Sequence, residues 1–276
     1  LPTKGIYFSG TITTTALNNS GCTISGNNIY DYFGAAVTSA GIYITTGTTD
    51  ITISNNKFYQ SASRTQTTGS QHSAIWITNT SGNNFLVSGN TIGYAASNGT
   101  GTYTFAGTTS SVLIPIFLNV GTTTATSVQG NTITAIAQSG SMSGTSSSAA
   151  FRGIYVSSGL TTIGDVTGNI IGSLSATGSI TFTSSSTSPS DVIAIFNFGT
   201  SNWTTNNNNI GGFTVSNSST GATNFYGLRC NTASTVTWTC NSNTIGGTMA
   251  NSINNTCTAA ATIVNGILNS NPIGTF

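Results

Sequence analysis

The sequence VSGNTI at residues 87–92 returns as VQGNTI at 128–133 and as VTGNII at 166–171. Four more segments have the same form, namely ISGNNI (24–29), ISNNKF (53–58), TNNNNI (205–210) and CNSNTI (240–245). The motif therefore recurs roughly every 35 residues, which is the signature of a repeat architecture. A second motif precedes it in each unit, a small residue followed by alternating apolar and aromatic residues: GIYF (5–8), GIYI (41–44), AIWI (74–77), PIFL (115–118), GIYV (153–156), AIFN (194–197), GLRC (227–230) and GILN (266–269).

The residue before the repeated Asn indicates a sharp turn. It is Gly or Asn in six of the seven units and Ser in the last, and Gly and Asn tolerate the left-handed backbone conformation. An Ile or Phe follows two places after the Asn, and an Ile, Val, Thr or Cys stands three places before it. We therefore expect a turn between two strands whose apolar side chains point the same way, with Val166 among the inward residues.

If the units stack as parallel strands, equivalent residues lie about 4.8 Å apart. The Asn amides would then form hydrogen bonds up and down the stack and satisfy buried polar groups of the turns. The predicted Asn ladder consists of Asn27, Asn56, Asn90, Asn131, Asn169, Asn208 and Asn243.

The sequence predicts an all-β fold, a right-handed parallel β-helix of about seven rungs with long loops at one corner. Thr, Ile, Val and Tyr favour strands, and helix-forming Glu, Lys, Arg and Gln are scarce or absent. We expect one solenoid domain over residues 1–276, either a segment of a longer protein or the subunit of a filament. A seven-bladed propeller is the alternative, but it needs four antiparallel strands per blade and usually a Trp-Asp signature, which the sequence lacks.

The repeats resemble the pectate-lyase-like solenoids, which are right-handed parallel β-helices with an internal Asn ladder. The NTIG segments at 90–93 and 243–246 are similar to repeats of large secreted or cell-surface proteins of Bacteroidetes-type bacteria. The resemblance covers nearly the whole chain. It implies a fold and an extracellular setting, but no particular activity, because one fold hosts many functions.

Charge is almost absent from the chain. Only 3% of the 276 residues are charged, there is no Glu, and the net charge is +1. The sequence therefore lacks the basic patch that binding to nucleic acid or anionic lipid requires, and no apolar run approaches the roughly 20 residues of a membrane span. We expect neither nucleic acid as a partner nor insertion into a membrane, and a location outside the cell or on its surface.

The second motif places one aromatic residue between two inward apolar residues in six successive units. Because side chains alternate along a strand, Ile42 and Ile44 point inward while Tyr43 points outward. Two interpretations stand: an exposed stripe that binds sugar rings by stacking, or a stripe covered by loops or by a neighbouring chain. The predicted stripe consists of Tyr7, Tyr43, Trp76, Phe117, Tyr155 and Phe196, before Arg229 interrupts it.

The sequence offers no persuasive catalytic group. Enzymes that cleave polysaccharides need carboxylates close together, either paired or holding a metal ion, but Asp31, Asp50, Asp165 and Asp191 fall at different places in their units. His72, the only histidine, lies in a Ser/Gln/Thr-rich stretch and is expected to be a solvated loop residue. We predict no catalytic residue, no metal and no cofactor.

The four cysteines do not form a zinc-binding pattern, because no C-x-x-C pair occurs. Cys22 and Cys240 fall in inward columns and are expected to be small core residues. Cys230, Cys240 and Cys257 lie in the last two units, where one disulfide is geometrically possible.

These observations favour a non-enzymatic structural or adhesive module, such as a stalk, fibre or filament segment that associates end to end with copies of itself or with other domains. A carbohydrate-binding module that uses the aromatic stripe is the alternative. A polysaccharide-degrading enzyme and an ice-binding protein are further alternatives. The last is disfavoured because the units vary too much in length to form a flat Thr face.

Overall fold

In a computed structural model, the chain folds into a right-handed parallel β-helix. The structure describes residues 1–232, 235–259 and 261–271. Every strand pair in these ranges is parallel, which excludes the propeller, whose blades are antiparallel. Four stacks of strands form the walls. Two short 3₁₀ helices, Thr15–Leu17 and Ser146–Ser148, and a small two-stranded sheet, Asn19–Ser20 with Thr48–Thr49, complete the structure.

We number the four sheets in the order in which the chain visits them within one rung. Sheet 1 contains the aromatic motif and consists of Lys4–Phe8, Ser39–Ile44, Gln71–Asn79, Val112–Leu113 with Ile116–Val120, Phe151–Ser158, Ser190–Asn197, Thr223–Cys230 and Val264–Asn269. Sheet 2 consists of Thr23–Ser25, Thr52–Ser54, Leu86–Ser88, Thr126–Gln129, Thr161–Ile163, Trp203–Asn206 and Trp238–Asn241. Sheet 3 consists of Asn28–Tyr30, Lys57–Tyr59, Thr91–Gly93, Thr132–Thr134, Ile170–Gly172, Asn209–Gly211 and Thr244–Ile245. Sheet 4 consists of Arg64–Thr65, Tyr103–Gly107, Ile136–Gly140, Ile180–Ser184, Phe213–Asn217 and Ile253–Asn255.

The turn between sheets 2 and 3 contains the Asn ladder. Each Asn from Asn27 to Asn208 donates from Nδ2 to Oδ1 of the next, at 2.8 to 3.0 Å. The same Oδ1 atom accepts the backbone N–H of the previous Asn at 3.0 to 3.1 Å. From Asn56 onward, Nδ2 also donates to a backbone carbonyl of the preceding rung, as Asn131 does to Val87. The ladder thereby satisfies polar groups that the stack of turns removes from water.

Close packing requires the glycine that opens several of the aromatic motifs. A Cβ atom on Gly41 would lie 2.7 Å from the Ala74 carbonyl oxygen and 2.7 Å from the Phe58 ring. On Gly153 it would lie 2.6 Å from the Ala194 carbonyl oxygen. At this column the backbone of the next rung and the core side chains of sheet 3 therefore approach the strand of sheet 1 closely.

The prediction that Val166 points inward is wrong. Val166 is 79% exposed, and Ile163 occupies the core position instead, paired with Val128 on one side and Thr205 on the other. Asn208 Nδ2 also donates to the Ile163 carbonyl oxygen, as Asn131 Nδ2 does to that of Val87, so Ile163 is the residue equivalent to Val87. Three extra residues, 164–166, therefore lie between the strand that ends at Ile163 and the rest of the turn, which continues at Thr167.

The sequence predicts long loops at one corner of the helix, but the structure has long loops at two corners. Residues 94–102 and 173–179 lie between sheets 3 and 4, whereas residues 141–150 lie between sheets 4 and 1. Sheet 4 is a continuous stack over six rungs, so the extra residues of each unit stand on both sides of it. Within the described ranges, no helix has the length and hydropathy needed to cross a membrane.

Candidate functional site on the outer face of sheet 1

The six aromatic residues form a continuous stack on the outer face of sheet 1. Their strands pair in register, so that Tyr43 lies beside Trp76, and Trp76 beside Phe117. Neighbouring ring centroids are separated by 4.8 to 5.7 Å along the whole series, which is contact distance for aromatic rings. The inward neighbours Ile42, Ile44, Ile75 and Ile77 are fully buried, as strand alternation requires.

Exposure changes along this aromatic stripe. Tyr7 is 57% exposed, and Tyr43, Trp76 and Phe117 are half-buried. Tyr155 and Phe196 are buried and belong to a second apolar cluster, separate from the helix interior, with Ile114, Ala149, Ile193 and Tyr226. The first four residues of the stripe are therefore at least partly open to solvent, and the last two are covered.

The loop at residues 141–150 covers these last two residues. Its Ser146 N–H donates to the Asp191 carboxylate at 2.8 Å, and Asn231 Nδ2 donates to Ser146 Oγ at 2.7 Å. Ala149 packs in the apolar cluster with Tyr155 and Phe196. These contacts hold the loop across three successive strands of sheet 1.

Three cationic side chains flank the stripe. Lys4 Nζ lies 5.4 Å from the Tyr43 ring centroid, and the guanidinium groups of Arg152 and Arg229 lie 4.4 Å from Tyr155 and 5.6 Å from Phe196. Such contacts between cations and aromatic faces are attractive. Sequence reasoning missed Lys4 and Arg152, because each stands three places before the aromatic residue of its motif, where strict strand alternation predicts an inward side chain.

A second aromatic surface lies on the outer face of sheet 3 and was also missed. Tyr30 and Tyr59 stack with ring centroids 4.8 Å apart and planes 5° apart. Lys57, Tyr59, Tyr94 and residues 96–99 line an open recess beside them. Lys57 Nζ donates to the Ser97 carbonyl oxygen at 2.8 Å, so the lysine is tied to the loop that forms one wall of the recess.

Each of the four carboxylates has its own hydrogen-bond partners, and none shares a partner with another. Asp31 pairs with Arg64 and accepts from Ser61, and these bonds hold the pKa of Asp31 below its usual value although desolvation alone would raise it. The hydrogen bond from Asn84 does the same for the pKa of Asp50. Asp165 accepts from Ser127 and Thr162, whereas Asp191 pairs with Arg229 and accepts from Asn224 and the Ser146 N–H.

The prediction that His72 is solvated is wrong. It lies inside the helix with no exposed surface, stacked on Phe105 at 5.5 Å, and its ring nitrogens are joined to Ser39 Oγ at 2.7 Å and to the Tyr103 hydroxyl at 2.5 Å. Desolvation, with a smaller effect of the Arg64 charge, lowers the pKa of His72 to about 3. The ring is therefore neutral at physiological pH and is a core residue.

The four thiols are free. Cys230 is buried, and Cys22 and Cys240 are partly buried against the apolar core. Burial raises the pKa of Cys230 and of Cys240. In the part of the chain that the structure describes, no three His, Cys or Asp side chains cluster as metal ligands would.

Comparison of the chain with models of protein families, with curated proteins and with solved structures finds no match in any of the three. The resemblance to pectate-lyase-like repeats therefore stays an expectation.

Proposed function

We propose that this chain is a non-enzymatic structural or adhesive module of the cell exterior, a stalk or filament segment that is continued end to end by further rungs. These rungs come from another copy of the chain or from another part of the same protein. The observation that carries the proposal is the surface of the terminal rungs.

The last described rung presents core positions to solvent. Ile267 lies in the same inward column as Leu228, with which it pairs, but Ile267 is 44% exposed and Leu228 is fully buried. Val264 is also exposed. At the opposite end, Lys4–Phe8 pairs only with Ser39–Ile44 within the described residues, so one strand edge is open. Apolar columns and open edges are the surface that another rung of the same kind covers.

The side chains that perform chemistry in other proteins have structural partners here. The four carboxylates are held in separate hydrogen-bond groups, and His72 is enclosed in the core. These contacts support a rod whose rungs provide length and rigidity.

The assembly is tested by light scattering and negative-stain electron microscopy over a range of concentrations. We expect masses that are multiples of 28.0 kDa, and rods whose length grows with concentration. Replacing Val264 and Ile267 together by Lys places charges on the end surface and is expected to leave monomers. Val166→Lys, on the exposed side of the rod, is the matched control and should assemble as the parent does.

A parent chain that stays monomeric up to about 1 mM would overturn the end-to-end association of copies, as would a double Lys variant that assembles normally. The exterior location is tested separately, by adding protease to intact source cells. Digestion before lysis supports it, and protection until lysis contradicts it.

The open part of the aromatic stripe favours a second function, carbohydrate binding. Tyr7, Tyr43, Trp76 and Phe117 span four adjacent rungs, about 14 Å at strand spacing, and aromatic faces of this kind stack on sugar rings. We expect binding on a glycan array that falls at least about tenfold for Trp76→Ala combined with Tyr43→Ala. Tyr30→Ala removes an exposed aromatic ring from sheet 3 and should change nothing; a parent that binds no glycan would exclude this function.

A further inference from the structure

Arg152 is a buried cation without an acidic partner. Only 4% of its surface is exposed, its guanidinium packs on the Tyr155 ring, and Nη1 donates to the Ser147 carbonyl oxygen at 2.5 Å. Nε has no hydrogen-bond partner within the described residues. No carboxylate of these residues lies within 4.0 Å of the Arg152 guanidinium; the ion pairs that they form are Asp31–Arg64 and Asp191–Arg229. Burying a cation without a counter-charge is costly.

A polar recess lies beside this guanidinium. It has a volume of about 380 Å³ and is open to solvent on one side. Besides Arg152, the recess is lined by Gly144, by the apolar Val112 and by five hydroxyl-bearing side chains: Thr109, Ser110, Ser143, Ser147 and Ser148. None of the four carboxylates lines it, so Arg152 is the one charged side chain among its lining residues.

Arg152 remains charged at neutral pH. Desolvation lowers its pKa to about 10, which still leaves the guanidinium protonated at pH 7. A guanidinium presents N–H groups in a planar fork that matches the oxygens of a carboxylate or a sulfate, and Ser and Thr hydroxyls add further donors.

We propose that this recess is a binding site for an oxyanion, a carboxylate or sulfate group, with Arg152 supplying the positive charge and the surrounding hydroxyls supplying hydrogen bonds. The site does not depend on end-to-end assembly, because it lies on the side of the rod. The anion is either free in solution or part of a sugar acid, and the experiment distinguishes the two.

The test is nuclear magnetic resonance of the arginine side chains. The chain has three arginines, so its Nε–Hε spectrum contains at most three such signals, which Arg64→Lys and Arg152→Lys assign. We titrate sodium sulfate, sodium acetate and sodium glucuronate up to about 100 mM at constant ionic strength, with sodium chloride and neutral glucose as controls. We expect the Arg152 signal to move and saturate, while the signals of Arg64 and Arg229, which carry their own carboxylates, stay in place.

Saturation by sulfate or acetate at the same concentration as by glucuronate identifies a free anion as the ligand. Saturation by glucuronate at concentrations at least about tenfold lower identifies a sugar acid, and either result supports the site. Movement that never saturates, or that chloride reproduces, would overturn the proposal.

Variants extend the test. Arg152→Lys keeps the charge but loses the planar fork, and is expected to weaken binding about tenfold. Arg64→Lys, in a different rung, should bind as the parent does. The titration of the parent decides the question even where a variant at Arg152 does not fold.

Discussion

Asn131 lies in the middle of the ladder and connects four polar groups. Its Nδ2 donates to Asn169 Oδ1 and to the Val87 carbonyl, and its Oδ1 accepts from the backbone and side chain of Asn90. Asn131→Ala leaves these buried groups without partners, so we expect the free energy of unfolding to fall by about 3 to 5 kcal/mol. Urea denaturation followed by circular dichroism measures the loss.

Asn27 provides the matched comparison at the edge of the same ladder. It is exposed, and its side chain donates to Asn56 Oδ1 and to the Ser25 carbonyl. Asn27→Ala should therefore cost only about 1 kcal/mol. Equal losses for the two variants would show that burial within the stack does not set the contribution of a ladder residue.

His72 makes the stability of the fold sensitive to acid. Its pKa is about 3 when folded and near 6.5 when exposed, so the unfolded chain binds the proton more tightly between these values. The contribution of the neutral ring is complete above pH 6.5 and is lost as the pH falls, by about 1.4 kcal/mol per pH unit. Unfolding free energies measured from pH 7 to about 4.5 test this, since Asp31 and Asp50 protonate only at lower pH.

His72→Leu is the informative variant, because Leu113 occupies the same inward column in the next rung. The variant leaves the Ser39 and Tyr103 hydroxyls unpaired and is expected to be less stable at pH 7. Its unfolding free energy should nevertheless be nearly constant down to about pH 4.5. A slope equal to that of the parent would assign the acid sensitivity to other groups.

At the scale of the element, residues 164–166 are an insertion in one turn. Removing them joins Ile163 to Thr167, Gly168 and Asn169, which restores the Val-Ser-Gly-Asn form of the turn at residues 87–90. We expect the shortened chain to fold with an unfolding free energy within about 1 kcal/mol of the parent, because the lost contacts of Asp165 are exposed. Urea denaturation provides the comparison.

Deletion of residues 128–130 is the control of equal length in the neighbouring rung. It removes the buried Val128 and the turn residue Gly130 and should lower the unfolding free energy by at least about 3 kcal/mol. Similar losses for the two deletions would contradict the assignment of 164–166 as an insertion.

The sequence predicts the element pattern well where the repeats are regular, since strand alternation and the Asn turn determine which side chains point inward. The prediction for Val166 failed because V-T-G-N has the same form as the turns of the other units. Only the pairing of Ile163 with Val128 shows that Ile163, and not Val166, is the inward residue of this strand. The prediction for His72 failed because the strand begins at Gln71, before the motif. The apolar residues two places before the small residue in later rungs, Leu113, Phe151, Val192 and Phe225, were the available signal.

The candidate site was less predictable than the fold. Strand parity indicates that Tyr155 and Phe196 point outward, but the loop that covers them is anchored through Asn231, 85 residues from Ser146. The recess at Arg152 likewise combines residues of two separate loops with residues of two strands. Contacts between loops of different rungs depend on how the loops fold over the sheet, which a repeat pattern does not encode.

At the scale of the whole molecule, charge contributes little to stability. The described residues form two ion pairs, Asp31–Arg64 and Asp191–Arg229, and the second is largely buried and thus weakly screened by salt. We expect the unfolding free energy at pH 7 to change by less than about 1 kcal/mol between about 0.02 and 0.5 M sodium chloride. Urea denaturation at several salt concentrations tests this, and a change of more than about 2 kcal/mol would reveal long-range charge interactions that these pairs do not account for.

The Asn ladder gives the rod a polarity. Every bond from one ladder side chain to the next runs toward the C-terminal rungs, so the column begins with an acceptor, Asn27 Oδ1, and ends at the Asn243 amide, whose Nδ2 donates to the Thr205 carbonyl oxygen and to Cys240 Sγ. If two rods met across a two-fold axis, two identical ends of the ladder would face each other. Head-to-tail addition instead places the Asn243 end of one subunit against the Asn27 end of the next and continues the column of Asn side chains. Growth by this route is open-ended and all subunits face the same way. A filament of this chain would therefore have two chemically different tips, and antibodies against one tip would label one end of each rod.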